Sequence, residues 1–294
     1  MNTAQQAIGV FDSGIGGLSV LQALRAELPR ERFVYLADTA NAPYGERSTA
    51  FVAERSHAIA AHLIAQHQIK ALVVACNTAT AAVIHEIRAN YLQLPLIGIE
   101  PALKPAVALR RTGRIGVMGT RGTLGSAKFG RLLASLAGQA QFVLQACDGL
   151  AHAIERSSAP GLSGSEAATE VRALSARYIS AMGRFGTEIG DIDTLVLGCT
   201  HYVFAESALR EVLGAGVQLI ATGEPVARQT RRLLQAAGAL APDTGEAIAP
   251  LLLTTGPLAQ LQTAAARWLQ LPEACCHTAQ INSQISLYPF KYVR

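Results

Sequence analysis

Short apolar runs alternate along the chain with longer stretches of helical periodicity. Continuous apolar strands separated by helices are typical of a parallel sheet that is covered on both faces. The runs predict strands at 7–12, 32–38, 71–76, 95–100, 114–120, 141–147, 194–199 and 217–221. The pattern therefore predicts an α/β fold with mainly parallel sheets.

The helical stretches between these runs carry apolar residues at spacings of three or four. Such a stripe lies after the first run, at Leu18, Leu21, Leu24 and Leu28. This spacing places the four side chains on one buried face of a helix, and Pro29 cannot continue it. Two long helices are predicted at 48–68 and 162–184, each ahead of a strand that ends in a cysteine.

The chain looks repeated. The stretch IGVFDSGIGGL (8–18) resembles IGVMGTRGTLG (115–125), and a cysteine strand follows each of them further along. Two facing α/β halves would place Cys76 and Cys199 on opposite sides of one cleft, because ligands bind outside the carboxyl ends of such strands. The plainer alternative, that any two α/β units begin alike, stays open.

Composition narrows the class of protein. The chain has 294 residues, half of them hydrophobic and 16% charged, which is enough for about two domains. The longest apolar runs are strand-sized and no secretory signal is visible, so we expect a cytoplasmic protein without a membrane span. The net charge of +4 is scattered, which gives little support to a nucleic-acid partner.

The five cysteines are expected to be reduced thiols in a cytosolic protein. Cys275, Cys276 and His277 are adjacent, which is not the spacing of zinc ligands, so no metal site is predicted. Cys147 is interpreted as a small buried hydrophobic residue.

The stretch FDSGIGGLS after the first strand is not a nucleotide loop. Ser19 occupies the third glycine position of the dinucleotide pattern, and the Walker GK[ST] is missing. Gly14, Gly16 and Gly17 instead allow backbone N–H groups to approach an anion, which can be a carboxylate, at a helix N-terminus. Asp12 either orders this loop or serves the chemistry.

The stretches LVVACNTAT and LVLGCTHYV carry the candidate chemistry. A cysteine between a strand and a helix experiences the positive end of the helix dipole, which predicts a lowered pKa for Cys76 and Cys199. His201 lies two residues after the second cysteine and is a candidate for proton transfer. N-cap residue types follow the cysteines: Asn77, Thr78 and Thr200.

Two cysteines in matching settings suggest a particular reaction. One cysteine beside a histidine would suggest a nucleophilic hydrolase. A thiol and a thiolate facing each other fit racemisation at a carbon, because one removes a proton and the other returns one to the opposite face.

Six motifs, taken in order, resemble those of the glutamate racemases of the aspartate/glutamate racemase superfamily. They are IGVFDSGIGGLSVL, ADTANAPYGERS, VVACNTATA, IGIEPALKPA, IGVMGTRGTLGS and LVLGCTHY, and the similarity runs from about residue 8 to 230. The resemblance implies interconversion of L-glutamate and D-glutamate for peptidoglycan synthesis, with no cofactor and no pyridoxal phosphate. It also implies two pseudo-symmetric αβα domains, 1–99 plus 213–294 and 100–212, around one cleft.

The resemblance also implies roles for single residues. Cys76 would act on the proton of D-glutamate with help from Asp12, and Cys199 on that of L-glutamate with help from His201. The segment QACDGLAHAIE supplies Glu155 as a further catalytic residue. Substrate contacts are implied for Asp12, Ser13, Pro43, Tyr44, Gly45, Asn77, Thr78, Thr200 and His201.

The chain departs from the family pattern in two places. Val203 replaces a proline after GCTHY, and Ala221 occupies a position that is usually acidic. The loss of a carboxylate at residue 221 bears on how the two domains couple. No family motif is identified in the stretch after about residue 235. A homodimer, activation by a cell-wall precursor and gyrase binding are left open by the resemblance.

Two rival functions remain at this point. The first is a racemase of the same superfamily that acts on aspartate or hydantoin, and substrate profiling separates it. The second is a regulatory binding protein that has kept the fold, and an activity assay separates it.

Overall fold

The fold contains two parallel β-sheets with helices on their faces. A computed structural model describes residues 3–158, 164–242 and 248–281. The strands are β1 Ile8–Asp12, β2 Phe33–Ala37, β3 Ala71–Val74, β4 Leu96–Gly98, β5 Arg114–Gly119, β6 Gln141–Ala146, β7 Ile192–Gly198, β8 Gln218–Ile220, β9 Leu251–Thr254 and β10 Cys276–Thr278. The helices are α1 Leu18–Glu27, α2 Thr49–His67, α3 Asn77–Asn90, α4 Leu103–Leu109, α5 Arg121–Leu124, α6 Ala127–Ala134, α7 Leu150–Arg156, α8 Gly164–Met182, α9 Glu206–Leu213, α10 Gly223–Ala236 and α11 Leu258–Leu269.

Four strands of the first sheet have the same order as the strands of the second sheet. The first runs β10-β9-β2-β1-β3-β4 and the second β6-β5-β7-β8, with parallel pairing throughout the described strands. The unit β2-β1-β3-β4 therefore corresponds strand for strand to β6-β5-β7-β8. This confirms the predicted α/β class and the repeat, and it places the two cysteine strands, β3 and β7, in equivalent positions.

The eight predicted strands are all present, and the described ranges contain two more that were not predicted. The additional strands β9 and β10 extend the first sheet beyond β2, in the stretch that the resemblance does not reach. The helices α1, α2 and α8 confirm the three predicted helices, although residues 162 and 163 of the predicted range lie outside the described residues.

The core explains why the strands are continuously apolar. Along β1, Val10 packs in a cluster with α1 on one face, while Phe11 packs in a cluster with α2 and α3 on the other. Alternate residues of a strand point to opposite faces, so a strand buried on both faces needs apolar side chains at every position. The stripe of α1 is buried as predicted, with Leu18, Leu21 and Leu24 fully inaccessible.

A buried ion pair fixes the segment after α10 to the first sheet. The Lys70 ammonium lies 2.5 Å from the Glu31 carboxylate and donates to the carbonyl oxygens of Ala4 and Ala239, each at 2.8 Å. The other Glu31 oxygen accepts the Ala241 N–H at 2.8 Å. Breaking a buried pair of this kind is strongly destabilising, so residues 239–241 are an integral part of the fold.

The division into domains at 1–99 plus 213–294 and 100–212 stays a prediction. Strand β4 ends at Gly98, just before the first predicted boundary. Strand β8 lies beyond residue 213 and yet pairs with β7 of the second sheet, which argues for a crossover after Ile220. None of the helices in the described ranges combines the length and apolar character needed to cross a membrane.

Candidate active site

The two cysteines occupy matching positions at the carboxyl ends of β3 and β7. Cys76 is the N-cap residue of α3, and its sulfur accepts the Ala79 N–H at 3.4 Å. Cys199 precedes a short 3₁₀ helix, Thr200–Ala205. Both thiols are free and buried, with 5% and 7% of the residue exposed. The structure thus reproduces the mirrored setting that the sequence predicts.

A chain of polar contacts leads from Cys76 toward Cys199. The Cys76 thiol donates to the Ser13 hydroxyl at 3.8 Å, and that hydroxyl donates to the Asp12 carboxylate at 3.1 Å. The other carboxylate oxygen of Asp12 accepts the Thr200 hydroxyl at 2.8 Å. Thr200 directly follows Cys199, so Asp12 connects the surroundings of both thiols.

A second group of contacts surrounds Cys199. Its sulfur lies 3.6 Å from Nδ1 of His201, and Nε2 of the same ring lies 2.7 Å from Oε1 of Glu155. The Ile15 N–H donates to that same oxygen at 2.7 Å. Cys199, His201 and Glu155 therefore form a hydrogen-bonded series. The glycine loop joins this series through the Ile15 N–H.

The glycine loop allows this close approach. A Cβ atom on Gly14 would lie 1.7 Å from Oε1 of Glu155, and one on Gly16 would lie 2.3 Å from Nδ1 of His201. Backbone N–H groups near a helix start bind anions readily. The sequence predicted an anion at this loop, and in the structure the Glu155 carboxylate occupies that position.

The prediction of a lowered pKa for Cys76 is wrong in this structure. Burial, followed by the negative charge of Asp12, raises the pKa of the Cys76 thiol far above its ordinary value. Burial likewise raises the pKa of Asp12, although His201 and the hydroxyls of Thr200 and Ser13 oppose the shift. Desolvation disfavours the charged form and outweighs the helix dipole here.

His201 shows the opposite behaviour. Burial lowers the pKa of its imidazole, but hydrogen bonds to Cys199 and Glu155 outweigh burial and hold the pKa well above its usual value. A protonated imidazole donates from both nitrogens, toward the Cys199 sulfur and the Glu155 carboxylate. The two cysteines therefore stand in different electrostatic surroundings.

The residues that follow Cys76 line the space between the sheets. Both polar atoms of the buried Asn77 amide are without a hydrogen-bond partner among the described residues. The Thr78 hydroxyl lies 3.0 Å from that of Thr120, which follows β5. An unpaired buried amide is costly, so Asn77 is a suitable contact for a polar ligand.

The turn that contains Pro43, Tyr44 and Gly45 packs closely against the second sheet. A Cβ on Gly45 would lie 2.6 Å from the side chain of Thr120. The Tyr44 hydroxyl donates to Asp38 at 2.5 Å, so its phenol is held by the protein itself. Substrate contacts from this turn stay predictions.

Sequence reasoning missed two groups near the site. No role was predicted for Asp38, and its carboxylate accepts hydrogen bonds from Tyr44, Arg55 and Thr255. Gln260 contacts Glu155 from the stretch after residue 235. The apolar run 251–253 before Thr-Thr-Gly is the signal from which strand β9 could have been predicted. That strand would have placed the residues after it, Gln260 included, at the carboxyl edge of the first sheet.

Comparison with known proteins identifies the class. Residues 8–230 match the Asp/Glu/hydantoin racemase family. The chain belongs to this family, and its fold with one cysteine at the end of each equivalent strand fits that membership. It is therefore a racemase, an enzyme of the isomerase class.

The individual relatives carry a narrower name. The chain is 46% identical over 266 residues to the glutamate racemase of Ralstonia pickettii, which covers 90% of this chain and 89% of that one. It resembles the crystal structure of a glutamate racemase isoform from Bacillus anthracis with a TM-score of 0.78 and 33% identity, over 94% and 97% of the two chains. The Escherichia coli glutamate racemase, in complex with L-glutamate and the activator UDP-MurNAc-Ala, gives a TM-score of 0.74 at 30% identity, over 90% and 95%.

Proposed function

We propose that this protein interconverts L-glutamate and D-glutamate by a two-base mechanism without a cofactor, and that the D-glutamate serves peptidoglycan synthesis. The names of the relatives support glutamate as the substrate. One observation carries the mechanism: two buried cysteines at equivalent strand ends adjoin one connected polar cluster.

The two thiols take opposite roles in each direction. Cys199 acts as the thiolate that removes the Cα proton of L-glutamate, and Cys76 is the thiol that protonates the other face. The raised pKa of His201 supports an imidazolium that stabilises the Cys199 thiolate. The raised pKa of Cys76 supports the neutral thiol. D-glutamate reacts with these roles exchanged.

Binding must also stabilise the charge that develops at Cα. The unpaired Asn77 amide and the hydroxyls of Ser13 and Thr78 are the donors that we assign to the substrate carboxylates. The Asp12 carboxylate suits the ammonium group, whose positive charge would compensate the cost of burying Asp12 and favour a Cys76 thiolate.

The division into two domains, with a crossover after Ile220, belongs to this proposal.

The deciding experiment follows purified protein with L-glutamate in D2O, with no cofactor added. Loss of the circular dichroism signal together with Cα deuteration is the expected result. Cys76→Ser and Cys199→Ser should each lower racemisation at least about a hundredfold, because each removes the acid/base group of one face. Cys147→Ser is the matched control, since Cys147 is also buried at a strand end.

The single variants test the direction of each thiol. Cys199→Ser should still deuterate D-glutamate slowly without inverting it, and Cys76→Ser should do the same for L-glutamate. Racemisation retained by either variant would contradict the two-base mechanism. Turnover of aspartate or hydantoin in place of glutamate would support the rival substrates.

Activation by a cell-wall precursor, a homodimer and gyrase binding stay predictions. Adding UDP-MurNAc-Ala to the same assay tests the activation.

A further inference from the structure

Gln260 lies outside the family match and yet contacts the proposed catalytic cluster. It belongs to the first turn of α11, about thirty residues beyond the end of the match at 230. Its side-chain Nε2 donates to Oε2 of Glu155 at 2.9 Å and to the backbone oxygen of the same residue at 3.2 Å. Both partners are acceptors, which determines the orientation of the amide.

This contact completes the hydrogen bonds of the Glu155 carboxylate. Oε1 accepts from the Ile15 N–H and lies against Nε2 of His201, each at 2.7 Å, while Oε2 accepts from Gln260. Glu155 is only 4% exposed. Without the amide, Oε2 of this buried carboxylate loses its hydrogen bond from Gln260. The carboxylate is then free to rotate away from His201.

The fold explains how a residue from the end of the chain reaches this place. Strand β9 pairs in parallel with β2, so its carboxyl end lies at the same edge as that of β1. A close turn at Gly256 follows, where a Cβ would lie 2.6 Å from the Thr39 hydroxyl oxygen. Helix α11 then contacts the end of α7 a second time, where Arg267 donates to the Ser157 carbonyl at 3.4 Å.

We propose that Gln260 is a positioning residue that holds Glu155 in the orientation in which it hydrogen-bonds His201 and, through His201, supports Cys199. It contacts neither thiol directly. The kinetic part of this inference rests on the proposed function. The stretch after residue 235 thereby contributes to the reaction and not only to the fold.

Two variants of Gln260 separate a positioning role from a structural one. Gln260→Met keeps the length of the side chain and removes the donor, so kcat should fall roughly tenfold or more while KM stays within about a factor of two. Gln260→Glu should act as a pH switch. A protonated carboxyl donates to Glu155 as the amide does, whereas an ionised one repels it.

The expected signature is a pH dependence of one ratio, the activity of Gln260→Glu divided by that of wild type. The ratio is measured between about pH 5 and about pH 8, the range in which one of two neighbouring carboxyls releases its proton. The ratio should be highest at the acidic end and fall as the pH rises. Gln262→Glu is the control, because Gln262 lies two positions along α11 and faces another direction. A ratio that is equal at every pH, or wild-type kcat in both Gln260 variants, would overturn the proposal.

A readout that needs no substrate distinguishes this inference from the proposed function. In ¹⁵N-histidine-labelled protein, the Nε2 proton of His201 is assigned by its loss in His201→Asn. Gln260→Met should move it upfield, because Glu155 loses the donor that fixes its orientation and the hydrogen bond from His201 to Glu155 weakens. An unchanged signal would overturn the role of Gln260. Failure of the wild-type protein to racemise glutamate would instead overturn the proposed function and leave this readout valid.

Discussion

At Gly14, the absence of a side chain allows the glycine loop to meet Glu155. The Gly14 carbonyl accepts the Tyr35 hydroxyl at 2.5 Å, so the backbone is fixed from the other side as well. A Cβ atom there would lie 1.7 Å from the Glu155 carboxylate, and neither group can retreat without losing a buried hydrogen bond. The contact between Ile15 and Glu155 depends on this one residue.

We predict that Gly14→Ala lowers racemisation severely and lowers the free energy of unfolding by about 1–3 kcal/mol, the usual cost of overpacking a buried site. Urea denaturation and the D2O assay measure the two effects. Gly130→Ala is the matched control, because a Cβ on Gly130 in α6 meets nothing within 4 Å. That change should leave activity intact and stabilise the protein by up to about 1 kcal/mol. Equal activity of the two variants would contradict the close approach.

At the scale of elements, one carboxylate joins three parts of the first sheet. Asp38 follows β2 and binds Arg55 of α2, Tyr44 of the 44–46 turn and Thr255 after β9. Burial raises the pKa of Asp38, but the hydrogen bonds from Arg55 and Tyr44 outweigh burial and lower it overall. The additional strand β9 is therefore linked to the turn that packs against Thr120.

This shift predicts how stability depends on pH. The folded pKa of Asp38 lies below its ordinary value of 3.8, so its contribution to stability is fully present above that pH and is lost as the pH falls through the folded pKa. The difference in unfolding free energy between wild type and Asp38→Asn should therefore be largest near neutral pH and shrink in acid. Urea denaturation over this range measures it. Asp148→Asn, at a largely exposed pair, is the control and should show a difference below about 1 kcal/mol; an Asp38 difference that grows in acid would contradict the assignment.

At the scale of the whole molecule, the two sheets are joined by polar contacts at the edges that carry the thiols. Asp12 at the end of β1 accepts from Thr200, which lies 188 positions further along the chain. Thr78 and Thr120 form a similar link between α3 and the end of β5. Residues that are distant in sequence thus interact where the two equivalent units meet.

We predict that Asp12 and Thr200 are energetically coupled. A double-mutant cycle with Asp12→Asn and Thr200→Val should give a coupling of about 1–3 kcal/mol in urea denaturation, as expected for a buried hydrogen bond to a charged group. Thr263 provides the control, since it is exposed on α11 and bonds within that helix. The cycle of Asp12→Asn with Thr263→Val should be additive within about 0.5 kcal/mol. An additive result for Thr200 would mean that the two sheets do not interact through this contact.

The sequence by itself determined eight of the described strands, the helices α1, α2 and α8, and the position of Cys76 and Cys199 at the ends of two strands. Burial on both faces forces continuous apolar runs, and the turn after each run places the residues next to Cys76 and Cys199 at the carboxyl edge of the sheet. These features depend on neighbours along the chain, so they can be read locally. The resemblance added Glu155, which the structure places beside His201.

Only the tertiary structure decided the ionisation of the thiols and the contribution of the last part of the chain. The pKa of Cys76 depends on burial and on Asp12, which lies 64 positions earlier, and the local helix dipole gave the wrong sign. Gln260 meets Glu155 only because β9 pairs with β2. Desolvation and long-range hydrogen bonds arise when distant segments pack together, and no local pattern in a single sequence contains them.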